Sequence, residues 1–399
     1  MILSIKTHLL AHALFWLNIL VFCLLLFGLI AAYGVQYIDE TCYYILPFIL
    51  TYVFLHRKKE VIVISENSMP KSNEKVLLRL VDVMLIGTVL FQIVHFIMLG
   101  HVPIITAAIS NDYYGIAFIR QSIKELDITW INYGSAFLMK AIMPFGLFLL
   151  YQMDKKRFWI YFIICSFYAL ALMQKALIIS ILIPLITYLL LQGKWIKSTL
   201  LLTFAMIGIV FLVYVTNPEL RPFNKADKTS SKVVVQVDAG SAIAGGISDR
   251  IFKLTGKMVG NWFKYVPDTI PFQYGNGYRL VAKAKGEPFA DISREIYKKM
   301  FLKETKLGLE GTATSAFFMY DYANFGKYGL VLAGILLAAI FKLINRLFGD
   351  DWRSKIALNS LSVFWLSSAA LTSTLLSGGW AIIILMYFVF KPLILRVKA

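Results

Sequence analysis

Charge is scarce in this 399-residue sequence: 16% of residues are charged and 59% are hydrophobic. A soluble domain is about 45–50% apolar and about 25% charged. Soluble, disordered, collagenous and disulfide-scaffold classes are therefore excluded. The apolar excess runs through nearly the whole chain, which excludes a single-pass anchored enzyme as well. Acids are scarcer than bases, 23 against 40, for a net charge of +17. In a membrane protein that excess has two sources, basic loops that set topology or a basic surface that meets an anionic ligand. Cysteine is nearly absent. Cys23, Cys42 and Cys165 sit in or at the ends of apolar runs, which leaves no disulfide framework and no zinc finger. Histidines number five, His8, His12, His56, His95 and His101. His8 and His12 have i, i+4 spacing but no third ligand in view, so no metal is expected. No P-loop occurs: Gly240–Gly246 lacks the Lys-Ser/Thr end and reads as a flexible turn. No D-x-D motif of the kind nucleotide-sugar transferases use appears, and Asp350-Asp351 reads as a solvated turn. Neither a cofactor nor a nucleic-acid partner is implied.

What is abundant is long apolar runs. A span needs roughly 20 apolar residues, and ten candidates emerge: Leu9–Tyr33, Tyr37–Leu55, Val76–Leu99, Tyr133–Met153, Phe158–Met173, Ala176–Gln192, Thr199–Thr216, Tyr328–Leu347, Ile356–Leu376 and Trp380–Val397. The first is too long for a cleaved signal peptide. The fifth and sixth read as a tight hairpin about Gln174 and Lys175. Basic clusters follow spans two, four, six, eight and ten, so all fall on one side. That side is cytoplasmic by the positive-inside rule, with both termini on it. The expected fold is an all-α polytopic membrane domain over 1–399, with extracytoplasmic loops at 100–132 and 217–312. Arg79 and Asp82, three apart on one face, are expected to pair. Lys140 and Lys175 are expected to snorkel from helix ends.

The large loop carries 16 Lys+Arg and 10 Asp+Glu between Asn217 and Thr312, a net of +6. Anionic lipid headgroups or an anionic substrate would meet it. Ser231–Asp238 reads as a short strand and Ile247–Tyr265 as helical. Asp291–Lys306 reads as an amphipathic helix lying flat at the membrane interface. The outer arginines are Arg120, Arg221, Arg250, Arg279 and Arg294, and a guanidinium fork matches phosphate oxygens. Arg279 closes Tyr274-Gly275-Asn276-Gly277-Tyr278-Arg279, a glycine turn flanked by tyrosines that suits a pyrophosphate with sugars stacked nearby. The segment Gly311–Gly329 is the densest in polar and aromatic residues. Asp321 and Asn324 share a helical face there, and Gly326 and Gly329 permit a break or close packing.

Tyr322–Gly329 resembles the Tyr-x-Asn-Phe-Gly-x-x-Gly stretch that precedes a late transmembrane helix in Wzy-type O-antigen and oligosaccharide repeat-unit polymerases. The plan of about ten spans with a late large loop is also similar, and Ile247–Phe252 is similar to their arginine-bearing entry to that loop. The chain departs from an Arg-x10-Gly pattern of some members, because Arg120 reaches its next glycine only at Gly134. The resemblance implies a GT-C-like glycosyltransferase of the bacterial inner membrane. Such an enzyme moves a growing glycan from one undecaprenyl-pyrophosphate carrier onto the sugar of another, without nucleotide sugar, metal or cofactor. A chain-length regulator would be a further partner beside membrane lipids. Candidate bases are Asp321, Glu310 and His101, in that order. Arg250, Arg279 and Arg120 are the candidate pyrophosphate ligands, and Tyr274, Tyr278, Tyr322 and Asn324 the candidate glycan contacts. Two alternatives stand beside this reading. An O-antigen ligase would place a histidine late in the large loop, where none of the five falls. A flippase or other transporter would need charge at mid-membrane.

The expected topology has a direct test. A periplasm-active reporter fused at Ser231 should be exported, and one fused at Lys355 should not. Export at Lys355 would overturn the ten-span arrangement.

Overall fold

The computed structural model describes residues 10–56, 71–110, 112–123, 128–217, 249, 253–349 and 351–395. His8, Arg221, Arg250, the expected strand Ser231–Asp238 and the turn Gly240–Gly246 lie outside them. Among the described residues every regular element is a helix. In chain order these are α1 (Ala13–Tyr33), α2 (Ile38–Leu55), α3 (Lys71–Leu99), α4 (Pro103–Ile109) and α5 (Tyr113–Ser122). Then α6 (Thr129–Phe137) runs through a π-turn (Leu138–Ile142) into α7 (Met143–Met153). They are followed by α8 (Lys155–Ala171), α9 (Lys175–Leu191), α10 (Trp195–Thr216), α11 (Thr255–Tyr265), α12 (Arg279–Lys285), α13 (Ile292–Met300) and α14 (Leu302–Lys306). The chain closes with α15 (Phe317–Phe325), α16 (Lys327–Phe348), α17 (Trp352–Trp365), α18 (Leu371–Leu375) and α19 (Trp380–Leu395).

Seven helical stretches among the described residues are long and apolar enough to cross a membrane: Ala13–Tyr33, Ile38–Leu55, Glu74–Leu99, Trp130–Met153, Trp195–Thr216, Lys327–Phe348 and Leu371–Ile394. A helix satisfies its own backbone polar groups, which is what hydrocarbon demands. The expected hairpin of spans five and six is present as α8 and α9, turned by Met173 at φ 53°. Each has 17 residues, about 25 Å at 1.5 Å per residue, a little less than a hydrocarbon core of about 30 Å. The ninth expected span, Ile356–Leu376, is not one helix. It stops at Trp365, where the Leu366 carbonyl turns to accept from Phe317 N–H at 2.8 Å. Ser367 Oγ also donates to the Phe364 carbonyl at 2.7 Å, the side-chain competition that ends helices. The expected amphipathic helix Asp291–Lys306 is likewise divided at Phe301, whose φ of −121° and ψ of 60° leave the helical region. The first loop carries α4 and α5.

The chain forms two compact units. The first comprises Met1–Ile64, Gly246–Lys355 and Ser362–Leu375; the second comprises Ser65–Gly245, Ile356–Leu361 and Leu376–Ala399. In the first, α2 lies along α16 with backbones nearly touching. A Cβ at Gly334 would come within 2.6 Å of the Tyr44 carbonyl oxygen and 2.9 Å of Phe48 N. Phe48 meets the Phe341 ring of α16 in this seam at 5.9 Å, while other rings of α2 reach its remaining neighbours: Tyr44 stacks on Phe318 of α15 at 4.5 Å, and Tyr52 on Phe15 of α1 at 4.5 Å. The buried Asn18 amide donates to Tyr44 Oη at 3.0 Å. At one end His12 pairs with Tyr52 Oη at 2.8 Å, the His56 ring contacts Asn345 Nδ2 at 2.9 Å, and Lys355 Nζ donates to the Ala11 carbonyl at 3.1 Å. Asp351, expected to be solvated, is buried and caps α17 by accepting from Ser354 N–H at 3.3 Å. In the second unit α3 packs on α7 and α8. There Asp82 pairs with Arg157 of α8 rather than with Arg79 of its own helix, because Arg157 also reaches Asp154 and closes a three-residue ion network.

Gly334→Leu should therefore lower the thermal unfolding midpoint in detergent, since overpacking typically costs about 1–3 kcal/mol and a backbone neighbour cannot give way. An unchanged midpoint would show that the α2–α16 seam is looser than described.

Candidate functional site

The first unit gathers most of the expected site residues on and around α15. The helix is nine residues long and its sequence, Phe317–Phe325, is aromatic on almost every side. The helix and the segment that leads into it from Ala313 are held by polar bonds from four directions. Trp262 of α11 is fully buried, donates Nε1–H to the Ala313 carbonyl at 2.8 Å and packs on the Tyr320 ring at 4.7 Å. Ala313 N–H donates to the Ser293 carbonyl at 2.9 Å and Phe317 N–H to that of Leu366. Tyr322 Oη donates to the Val266 carbonyl at 3.2 Å. At Gly326, with φ of 61°, the chain turns directly into α16. Gly329 then passes so close to the Asp321 carbonyl that no side chain would fit between them.

Asn324 organises the fourth side. Its buried Oδ1 accepts from Gly275 N–H at 3.1 Å and Gly277 N–H at 3.0 Å, while Nδ2 donates to the Tyr320 carbonyl at 2.8 Å. The backbone adds two more bonds, Gln273 N–H to Ala323 O at 3.0 Å and Tyr274 N–H to Asn324 O at 2.9 Å. The glycine turn expected at Tyr274–Arg279 is thus present. Tyr274 (φ 47°) and Gly275 (φ 98°) both take positive φ, and at Gly275 a Cβ would also meet Val281 at 2.9 Å. A Cβ at Gly277 would run into the Asn324 amide at 2.6 Å. The Gly-x-Gly pair is what lets the turn close on that amide.

The purpose of this clamp is visible at its centre. Tyr278, delivered by the turn, donates its hydroxyl to Asp321 Oδ1 of α15 and stacks on Phe325 at 6.3 Å. Asp321 is 9% exposed. Its Oδ2 is buried without a hydrogen-bond partner among the described residues. Burial pushes the Asp321 carboxyl up to about 7, against a smaller lowering by the Tyr278 bond. Burial and the neighbouring carboxylate raise Tyr278, so it stays a neutral donor. A carboxyl that titrates near neutrality and has one uncommitted oxygen is equipped to take or give a proton.

The other expected residues fall variously. Tyr274 is 70% exposed at the tip of the turn, and Arg279 is exposed with its guanidinium 4.9 Å from the Phe289 ring centroid. Glu310 is exposed and ion-paired to Arg294 at 3.2 Å, which leaves it solvated rather than poised as a base. Tyr322 and Asn324, expected to touch glycan, are buried and bonded to the chain itself, so they build the site rather than face a ligand. His101 and Arg120 belong to the second unit. His101 donates Nδ1–H to the Leu99 carbonyl at 2.8 Å, and Arg120 lies exposed on α5. The sequence signal for the Tyr278–Asp321 pair was the tyrosine after the glycine turn, which alone reads as a stacking residue. Among the described residues no group of three or more His, Cys, Asp or Glu could hold a metal ion.

The raised carboxyl makes a pH prediction with a definite sign. The unfolded chain ionises Asp321 from its ordinary value of 3.8, but the folded chain does so only near 7. The stability this group contributes is complete below the lower value and is lost as pH rises to the upper one, at up to about 1.4 kcal/mol per pH unit. The unfolding midpoint of Asp321→Asn in detergent should lack that part of the pH dependence and lie above that of wild type above pH 7. Identical curves for the two proteins would refute the buried carboxyl.

Comparison with known proteins yields no match: no family model, no curated protein and no solved structure is similar to this chain, so its function has to be inferred from its own side chains.

Proposed function

We propose that the chain is a membrane glycosyltransferase that polymerises undecaprenyl-pyrophosphate-linked repeat units on the periplasmic face of a bacterial inner membrane, with Asp321 as general base. The observation that carries this reading is the buried Asp321 carboxyl, which titrates near 7 and keeps Oδ2 uncommitted within the segment whose sequence resembles the repeat-unit polymerases. In the proposed step the acceptor sugar hydroxyl gives its proton to Asp321 Oδ2, and its oxygen bonds to the anomeric carbon of the donor glycan. The bond from that carbon to the pyrophosphate oxygen breaks, and the lipid pyrophosphate leaves with the electron pair. Tyr278 holds the carboxylate through Oδ1 and aims the other oxygen. Arg279 offers a guanidinium close to the same turn for the leaving group, with Arg250 as a further candidate read from the sequence. Exposed Tyr274 offers a ring for a sugar face. The chemistry calls for no nucleotide sugar or metal, because the lipid pyrophosphate is itself the leaving group.

A general base works only when deprotonated, so the polymerisation rate should rise with pH up to a plateau above about 7. Asp321→Asn should lose roughly 10²- to 10⁴-fold, the usual contribution of a positioned base. Tyr278→Phe removes the bond that lowers the carboxyl, so its limb should move to higher pH. The assay is elongation of lipid-linked repeats by purified protein in chelator, paired with surface polysaccharide from deletion cells carrying each variant. Loss of a polymerase leaves one repeat unit on the core. A deletion strain with none would favour ligase or flippase, and a fully active Asp321→Asn would remove Asp321 from the chemistry.

A further inference from the structure

The second unit contains a polar layer inside its apolar helices that the Asp321 chemistry does not use. On α3, Thr88, Gln92 and His95 follow one another at helical spacing, and all three are buried, Gln92 to 4% and His95 to 1% exposure. Thr88 is satisfied by its own helix, donating to the Leu85 carbonyl at 2.7 Å. The other two are not. His95 Nδ1 meets Tyr168 Oη of α8 at 2.6 Å, but His95 Nε2 and Gln92 Nε2 have no partner among the described residues. A buried polar group left unmade costs about 1–3 kcal/mol. Two of them three residues apart on one face of a membrane-spanning helix call for a partner, and a bound ligand would satisfy both.

The facing helix is irregular along the same part of α3, around Thr88. The stretch Trp130–Met153 lies against α3, with Gly134 opposite Phe91 and Gly146 opposite Met84 and Leu85. A Cβ at Gly134 would approach Phe91 Cε2 to 2.6 Å, and one at Gly146 would approach Met84 Cε to 2.8 Å. Between these two close approaches lies the π-turn Leu138–Ile142, which packs on α3, and at its middle is Lys140. Such single π-turns within α-helices occur frequently at functional sites. Lys140 was expected to snorkel from a helix end, yet it stands near the centre of a 24-residue apolar stretch. A lysine there marks a functional site by default, given the cost of charge in hydrocarbon.

The Gln92 amide nitrogen and the Lys140 ammonium are hydrogen-bond donors, and the His95 ring donates from Nε2 when Tyr168 supplies the proton at Nδ1. We propose that α3, the π-turn and α8 form a second binding site, separate from the Asp321 site, for the oxyanion of a phosphate group. Gln92 and His95 bond the phosphate oxygens, Tyr168 fixes the histidine ring, and Lys140 supplies the charge. The phosphate comes either free from solution or on the headgroup of a lipid that enters from the bilayer. This proposal does not rest on the polymerase reading.

The experiment measures binding to purified full-length protein in detergent, with two probes: inorganic phosphate, and short-chain phosphatidic acid presented in the micelle. One of them should raise the unfolding midpoint of wild type saturably, and which one does so identifies the source. Lys140→Met and Gln92→Leu should each weaken that binding at least tenfold, while Asp321→Asn should bind as wild type does. If Lys140→Met fails to fold, Lys140→Arg keeps the charge and must bind, whereas Gln92→Glu keeps the shape, reverses the polarity and must not. The site is overturned if neither probe binds, or if binding survives unchanged in both Gln92→Leu and Gln92→Glu.

Discussion

The Asn324 amide accepts from Gly275 and Gly277 and donates to Tyr320, so one buried side chain joins a helix to a turn lying nearly fifty positions earlier in the chain. Everything at the Asp321 site follows from that join. Without it the turn keeps only the two backbone bonds of Gln273 and Tyr274, and Gly277, next to Tyr278, loses its tie to α15. Neither an aspartate nor a serine can substitute cleanly. The first has no N–H to give Tyr320, and the second cannot span both glycine nitrogens. The glycines are constrained from the other side, since any side chain at 277 would displace the amide. Asn324 and the two glycines are therefore one device, although they are far apart in sequence.

Burial acts in two opposite ways in this chain. Around Asp321 it raises a carboxyl into the range where proton transfer is useful, at a site outside the spanning helices. Around Gln92 and His95 it strands neutral donors inside a spanning helix. In both places a buried polar atom stays uncommitted among the described residues, and such exceptions are where chemistry or recognition concentrates.

Much of the fold was legible because it depends on composition over long windows. Apolar runs gave the spans Ala13–Tyr33 through Trp195–Thr216 to within a few residues, and the α8–α9 hairpin could be read from length alone. Failures came where tertiary bonds override a local pattern. Nothing in Ile356–Leu376 signals that Phe317 takes the Leu366 carbonyl and stops the helix at Trp365. Asp82 found Arg157 across helices although Arg79 was its neighbour by spacing. At the site, the sequence singled out Asp321, Tyr278 and Asn324 but assigned two of them to ligand contact. Whether a tyrosine hydroxyl faces a sugar or a carboxylate depends on a partner 43 positions away, and one-dimensional spacing carries no trace of that.

The first unit is assembled from the N-terminal segment and from residues that follow Gly246, and this sets an order on its biosynthesis. α1 and α2 leave the ribosome early, yet α11, which packs on α1, begins only at Thr255, and α16, which packs on α2, begins only at Lys327. His56 and Asn345, which touch in the finished protein, are 289 positions apart. At a synthesis rate of about 5–20 residues per second the first two helices wait roughly 15 to 60 s in the bilayer before that partner exists. What α1 and α2 share with each other in the finished protein is the Asn18–Tyr44 bond and the stacked rings of Phe15 and Tyr52. The connectivity thus leaves the long face of α2 that packs on α16 uncovered by that helix until the last fifth of the chain arrives.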